Sequence, residues 1–155
     1  MITSALADSE SLADGALEWV FRAARTVNDG LAWPDTPNDE QTSPDLYSGT
    51  SGVLPALLDA WRYFEDERYA DAAVRGARSV AAVVDEWEDS GLYTGVAGMA
   101  VALRGVHRVL GDSAVGVSAD RALDVLRALR RNRVQRLLRT RSRQRRHRTR
   151  RSGTR

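Results

Sequence analysis

Cysteine and lysine are absent from this 155-residue chain, and so is any long apolar stretch. The absence of cysteine excludes disulfides, zinc sites built on thiolates and cysteine nucleophiles. No apolar run approaches the roughly 18 residues of a membrane-spanning helix, and no basic stretch near the start leads into an apolar one. We therefore expect neither a signal peptide nor a membrane span, and we expect a soluble cytoplasmic protein.

Acidic residues are absent from the last part of the chain, because all 21 of them lie at or before Asp124. Residues 1–126 carry nine arginines against those 21 acids, whereas residues 127–155 carry fourteen arginines and no acid. We therefore divide the chain into an N-terminal domain, residues 1–126, and an Arg-rich tail, residues 127–155. The composition of the tail predicts that it is disordered.

Apolar residues recur at helical spacing through residues 1–126, and no segment alternates between apolar and polar residues as a strand does. The turn residues Asn28–Gly30 are typical of a helix end, and the three prolines within residues 31–45 indicate an exposed loop. The sequence therefore predicts an all-α fold. The apolar stripes lie between Leu12 and Val27, Val53 and Phe64, Tyr69 and Trp87, Met99 and Leu110, and Ala119 and Leu129.

One short stretch occurs twice, as DLYSGTSGVLPAL from Asp45 to Leu57 and as GLYTGVAGMAVAL from Gly91 to Leu103. Each copy stands where a loop becomes a helix, so its glycines can adopt positive φ or admit a neighbouring backbone, and its Ser or Thr can cap the helix. A repeat of loop, helix, turn and return helix is typical of stacked helical hairpins, which bury their apolar stripes against one another. The shared residues include Leu46, Tyr47, Gly49 and Gly52 in the first copy and Leu92, Tyr93, Gly95 and Gly98 in the second.

These residues resemble the lanthionine synthetase C-like proteins, a family of α/α toroids. In that family each inner helix begins at a Gly-rich turn of the form LY-S/T-G-x-A/S-G, and the segment WPDTP from Trp33 to Pro37 is also similar to the family. The resemblance spans about residues 12–126. Because a full family domain is more than twice as long as this chain, the resemblance implies a partial toroid, an incomplete (α/α)6 barrel of helical hairpin repeats.

The resemblance also implies a peptide-modifying activity in lantibiotic biosynthesis. In the family, zinc activates a cysteine thiol, which adds to a dehydrated serine or threonine and closes a thioether ring. Two cysteines and a histidine hold that zinc, whereas this chain has no cysteine and only two histidines, His107 and His147. We therefore identify no catalytic, cofactor-binding or metal-ligating residue, and the repeat motif receives a structural role. Asp45 precedes the first motif as the family's catalytic aspartate precedes a later one, and we do not carry that role over.

A third copy of the motif should begin near residue 138, but the sequence there is LRTRSRQRRHRTRR, with no glycine before Gly153. One interpretation is that the reading frame has been lost, since a GC-rich gene read out of frame gives runs of arginine, serine, threonine and glycine. The other interpretation is a selected basic tail that binds nucleic acid or another polyanion weakly. The tail has no aromatic residue on which a base could stack.

Three functions are compatible with these patterns. The one we favour is a truncated lanthionine synthetase C-like protein that is inactive alone, with a precursor peptide or a completing protein segment as its partner and no membrane partner. The second is a small helical-repeat module that binds a polyanion through its tail. The third is a fragment of another α/α toroid, such as a sugar-processing enzyme, whose paired acidic residues we do not find here.

Overall fold

The computed structural model describes residues 2–36 and 38–151, and it describes side chains for residues 8–36 and 38–135. Within this part the chain forms five α-helices, one small hairpin and one 3-10 turn, which confirms the all-α prediction. No helix among the described residues is both long and apolar enough to cross a membrane. In chain order the elements are α1 (Ile2–Ala23), β1 (Arg25–Val27), β2 (Gly30–Ala32), α2 (Thr50–Phe64), α3 (Glu67–Val83), the 3-10 turn Val84–Glu86, α4 (Val96–Leu110) and α5 (Ser113–Arg151).

Two helical hairpins form the body of the molecule. Helix α2 packs against α3 and α4 against α5, and α2 and α3 also pack against α4. Between them the predicted apolar stripes meet in one core, as expected for helices that are apolar on one face. The largest fully buried apolar side chains are Leu54, Leu57, Val80, Val84, Val96, Met99, Leu103, Val106 and Val115. The partial toroid stays a prediction, since two helical hairpins alone do not establish the arrangement of a ring.

Short turns connect the helices. Helix α2 ends at Glu65, whose amide donates to the Trp61 carbonyl oxygen at 2.9 Å, and Asp66 then begins α3 by accepting the amide of Arg68 at 2.9 Å. That bond, together with the side chain of Arg68, lowers the pKa of Asp66. Helix α4 ends at Gly111, whose φ of 72° is favourable only for glycine.

The segment predicted as an exposed loop is buried over its first residues. Trp33 is buried, and it donates its backbone amide to Thr50 Oγ1 at 3.1 Å and its indole N–H to the Val20 carbonyl oxygen at 2.8 Å. The predicted helix end at Asn28 is also wrong: α1 ends at Ala23, and Asn28, with φ 52°, lies in the two-residue turn between β1 and β2. The prolines further along pointed to a loop, whereas the apolar residues before them enter the core.

Helix α5 continues through Arg151. The prediction that the tail is disordered stays a prediction. Arginine and leucine are good helix formers, and no proline or glycine interrupts residues 117–151. Leu129, three residues beyond the predicted boundary, packs against the core. Residues 152–155 lie outside the described residues, and the division of the chain at residue 126 stays a prediction.

Candidate functional site

The two copies of the repeat motif lie side by side at the start of helices α2 and α4. The backbone amides of Leu46 and Tyr47 both donate to the carbonyl oxygen of Tyr93, each at 3.0 Å. The rings of Tyr47 and Tyr93 meet edge to face with their centroids 6.4 Å apart, a favourable geometry for aromatic pairs. Because α2 and α4 start at joined loops and pack against each other, they run in the same direction.

Each loop approaches the start of its own helix so closely that a glycine is needed. A Cβ atom on any of the four motif glycines would lie under 3.0 Å from a backbone carbonyl oxygen of the preceding loop. These pairs correspond position for position between the repeats, and none of the four glycines has positive φ. The glycines therefore permit close backbone approach and do not form left-handed turns. The carbonyl groups belong to Ser43 for Gly49, Leu46 for Gly52, Asp89 for Gly95 and Leu92 for Gly98.

The sequence suggested that hydroxyl groups would accept the free backbone amides at the start of each helix. Backbone carbonyl oxygens accept them instead. The Ser43 carbonyl oxygen accepts the amide of Thr50, and the Asp89 carbonyl oxygen accepts the amide of Val96, both at 2.8 Å. The N-cap residues of the two helices are glycines without a side-chain bond. Each motif therefore pairs the first free amide of its helix with a backbone group in its own loop.

Asp45 holds the first loop together with both of its carboxylate oxygens. Its Oδ1 accepts the amides of Ser48 at 2.9 Å and Gly49 at 3.1 Å, and its Oδ2 accepts the hydroxyl of Ser43 at 2.7 Å. Burial alone would raise the pKa of Asp45, but these hydrogen bonds outweigh it and hold the pKa below its ordinary value. The carboxylate is therefore occupied by its own loop.

A carboxylate from a different repeat position closes the second loop. Asp89 accepts the hydroxyl of Thr94 at Oδ2, at 2.6 Å, and the amide of Gly91 at Oδ1, at 2.8 Å. These two bonds lower the pKa of Asp89. In the repeat alignment Asp89 corresponds to Ser43 and Gly91 corresponds to Asp45. Both loops thus use one carboxylate for the same structural task, although the residue comes from different positions.

The face of the first repeat that carries Gly52 is exposed, whereas the equivalent face of the second repeat, which carries Gly98, is covered. Leu46 lies against Gly98, and a Cβ atom on that glycine would stand 2.8 Å from the Leu46 Cβ. Gly98 and Ala102 are buried, while the corresponding Gly52 and Ala56 are exposed. The exposed residues form one stripe of α2, which we name the α2 edge. It consists of Gly52, Ala56 and Asp59.

The second repeat also has an exposed face, which carries Leu92. Leu92 corresponds to Leu46 but is 47% exposed, because no later loop covers it within the described part of the chain. Tyr93 and Val101 are exposed beside it, and the amides of Leu92 and Tyr93 have no hydrogen-bond partner among the described residues. We name this surface the α4 edge. It consists of Leu92, Tyr93, Val101 and Arg104.

The residues present do not fit the zinc site that the resemblance implies. The chain has no cysteine, and the described side chains include no group of three His, Cys, Asp or Glu residues placed to hold a metal ion. His107 is half-buried, its Nδ1 lies 2.8 Å from the Asp112 carbonyl oxygen, and its ring lies against Gly116, so it packs α4 onto α5. The side chain of His147 lies outside the described residues.

Comparison with known proteins identifies one matching family. The family model described as lanthionine synthetase C-like protein matches residues 40–135, which is more than half of the chain and contains both copies of the motif. The match extends nine residues into the Arg-rich segment. Searches of curated proteins and of solved structures found no match.

Proposed function

This chain belongs to the lanthionine synthetase C-like family, and on that premise we propose that it supplies two consecutive repeats of a helical barrel whose next repeat docks on the α4 edge. The observation that carries the proposal is the difference between Leu46 and Leu92. The first leucine lies against a glycine of the following repeat, whereas the second is exposed in the same geometry. A repeat of this kind buries its apolar surface only against a neighbour.

We also propose that this chain alone does not form thioether rings. Zinc supplies thiolate activation when it is bound in the family's complete barrel, and a site for it needs donor groups that the described side chains do not bring together. Asp45 uses both carboxylate oxygens within its loop, which supports a structural role for it. The partner we propose is a protein segment that carries later Gly-rich repeats with the zinc ligands, and the substrate of the completed barrel is a dehydrated precursor peptide.

A binding measurement tests this function. We expect the full chain to bind a segment of a lanthionine synthetase C-like protein that begins at its third Gly-rich motif, and we expect Leu92→Arg to weaken binding at least about tenfold, since it would place an unpaired charge in the interface. Isothermal titration calorimetry measures both affinities. Ala82→Arg is the matched control, because Ala82 is exposed on α3 and does not belong to the α4 edge. Equal affinity of the Leu92 variant and the wild type would contradict the proposal.

An activity assay accompanies the binding measurement. Thiol addition to a dehydrated residue leaves the peptide mass unchanged, because the thiol adds across a double bond without a leaving group. Alkylation of the remaining free thiols, followed by mass spectrometry, therefore counts the rings that have formed. With zinc and a dehydrated cysteine-containing peptide, we expect every thiol to stay reactive in the presence of this chain alone. Ring formation by the chain alone would show that it is a complete catalyst.

Polyanion binding is a second candidate function, and the charge of the C-terminal segment favours it. Residues 127–155 contain fourteen arginines and no acid. Within the part whose side chains are described, Arg130, Arg131 and Arg133 are exposed on α5. Arginines presented along one helix can contact several phosphates, and such contacts release counterions.

Salt dependence tests that second function. We expect binding of the full chain to a single-stranded oligonucleotide to fall about a thousandfold between roughly 50 and 200 mM salt if six or more phosphates are contacted. Fluorescence anisotropy measures the affinity at each salt concentration. Deletion of residues 136–155 removes ten of the fourteen arginines and should weaken binding strongly, while it retains Leu129 and its packing against the core. A deletion variant that binds as the full chain does would rule out this function for residues 136–155.

A further inference from the structure

The interface between the two repeats is built from two unlike halves. The first repeat contributes the Leu46 side chain and the amides of Leu46 and Tyr47. The second repeat contributes the surface of Gly98 and the carbonyl oxygen of Tyr93, which accepts both amides. This contact is already made once within the chain, so its geometry is compatible with the local structure of both repeats.

Each half of that interface occurs a second time, unused, at an opposite end of the molecule. At the α4 edge, Leu92 and the amides of Leu92 and Tyr93 repeat the first half. At the α2 edge, exposed Gly52 corresponds to Gly98, and Tyr47 corresponds to Tyr93, whose carbonyl oxygen accepts both amides in the internal contact. One chain therefore presents both halves of an interface that it makes internally.

We propose that a second copy of this chain docks its α2 edge on the α4 edge of the first copy. Leu92 of one copy then covers Gly52 of the next as Leu46 covers Gly98, and the amides of Leu92 and Tyr93 donate to the carbonyl oxygen of Tyr47. The inference rests on the proposed function in one respect, that the α4 edge is a docking surface for a Gly-rich repeat. It adds that the repeat comes from another copy of the same chain.

Charged residues on the two edges are compatible with this choice of occupant. Asp59 is exposed on the α2 edge, where it pairs with Arg62 at 3.7 Å, and Arg104 lies on the α4 edge, where it pairs with Asp120 of α5. The positions that correspond to Asp59 and Arg104 in the internal contact hold the uncharged Gly105 and Leu58. Exposed ion pairs contribute little to stability, so Asp59 of one copy and Arg104 of the next can exchange these partners for each other across the contact.

The contact is heterologous, because it joins two different surfaces. Such an interface leaves one free α4 edge and one free α2 edge on every open assembly, so copies continue to add unless a ring closes. Self-association through these edges is therefore expected to exceed a dimer, and blocking either edge alone is expected to stop it.

Mixing two blocked variants tests the proposal. We expect the full-length wild type to form assemblies larger than a dimer as concentration rises, measured by light scattering after size-exclusion chromatography and by native mass spectrometry. Ala56→Arg blocks the α2 edge and Leu92→Arg blocks the α4 edge, so each variant alone is expected to be monomeric. An equimolar mixture should form a 1:1 dimer and nothing larger, because one intact edge of each kind remains. Ala82→Arg, at an exposed position of α3 that belongs to neither edge, should assemble as the wild type does.

The other outcomes overturn the proposal. A wild type that is monomeric at all concentrations excludes self-pairing, and if it still binds the third-repeat segment, the proposed function stands without it. Assemblies that persist in both single variants show association through another surface, such as the Arg-rich segment. A monomeric mixture of two variants whose circular dichroism matches that of the wild type shows that the two edges do not bind each other.

Discussion

Replacing Gly98 with alanine is expected to lower the free energy of unfolding by about 1–3 kcal/mol, the range for an overpacked site. The added Cβ would stand 2.8 Å from the Leu46 Cβ and closer still to the Leu92 carbonyl oxygen. Both neighbours belong to the loops that join the repeats, and the carbonyl is backbone that cannot rotate aside. Relief of the clash would separate the first loop from the second.

Gly105→Ala is the matched control in the same helix. A Cβ on Gly105 would meet nothing within 4 Å, so alanine is expected to stabilise α4 by about 0.5–1 kcal/mol through its better helix propensity. Urea unfolding followed by far-ultraviolet circular dichroism measures both changes. The comparison is made in the Ala56→Arg background, so that self-association does not add to apparent stability. Stabilisation by both substitutions would show that the close approach at Gly98 does not exist.

Asp45→Asn is expected to cost about 1.5–3 kcal/mol at neutral pH, because hydrogen bonds to a charged group contribute about that much. The asparagine is similar in shape, but it offers a neutral acceptor to the amides of Ser48 and Gly49 and has one oxygen fewer. Asp14→Asn, at an exposed position of α1, is the control and should stay within about 0.5 kcal/mol of the wild type.

The pH dependence of the Asp45 effect has a definite sign. The pKa of Asp45 is lower in the folded protein than its ordinary value of 3.8, so the native state favours the ionised form. The stabilisation is therefore fully present above the unfolded-state pKa and is lost as pH falls through the folded-state pKa. The difference between wild type and Asp45→Asn in urea unfolding should be constant near neutral pH and shrink below about pH 4. A difference that grows on acidification would contradict the ionised network.

Helices α2, α3 and α4 could be predicted from the sequence because their apolar residues recur at a helical period over the whole length of each element. The repeat alignment also indicated which glycines are equivalent. The sequence offered positive φ or a close backbone approach as the reason for these glycines, and the structure shows the second, because the glycines approach the backbone carbonyls of Ser43, Leu46, Asp89 and Leu92. Every residue has a carbonyl group, so its position leaves no trace in a side-chain pattern.

The wrong predictions of a helix end at Asn28 and of an exposed loop at Trp33 have a related cause. Trp33 stands next to a proline in a segment rich in turn residues, and its burial depends on Val20 and Thr50, which are distant in sequence. A tryptophan that precedes Pro34 is the one local signal that could have indicated an anchored loop.

The contact of Leu46 with Gly98 has a consequence for how such chains can change in length during evolution. The leucine of one unit and the glycine of the next lie at fixed places in the 46-residue period that separates Gly49 from Gly95. Duplication or loss of a whole unit preserves every such pair, whereas the insertion of a few residues between the motif and its helix displaces the leucine from its glycine. Repeat number can therefore vary without the invention of a new interface, and tolerated changes in gene length should come in steps of one period.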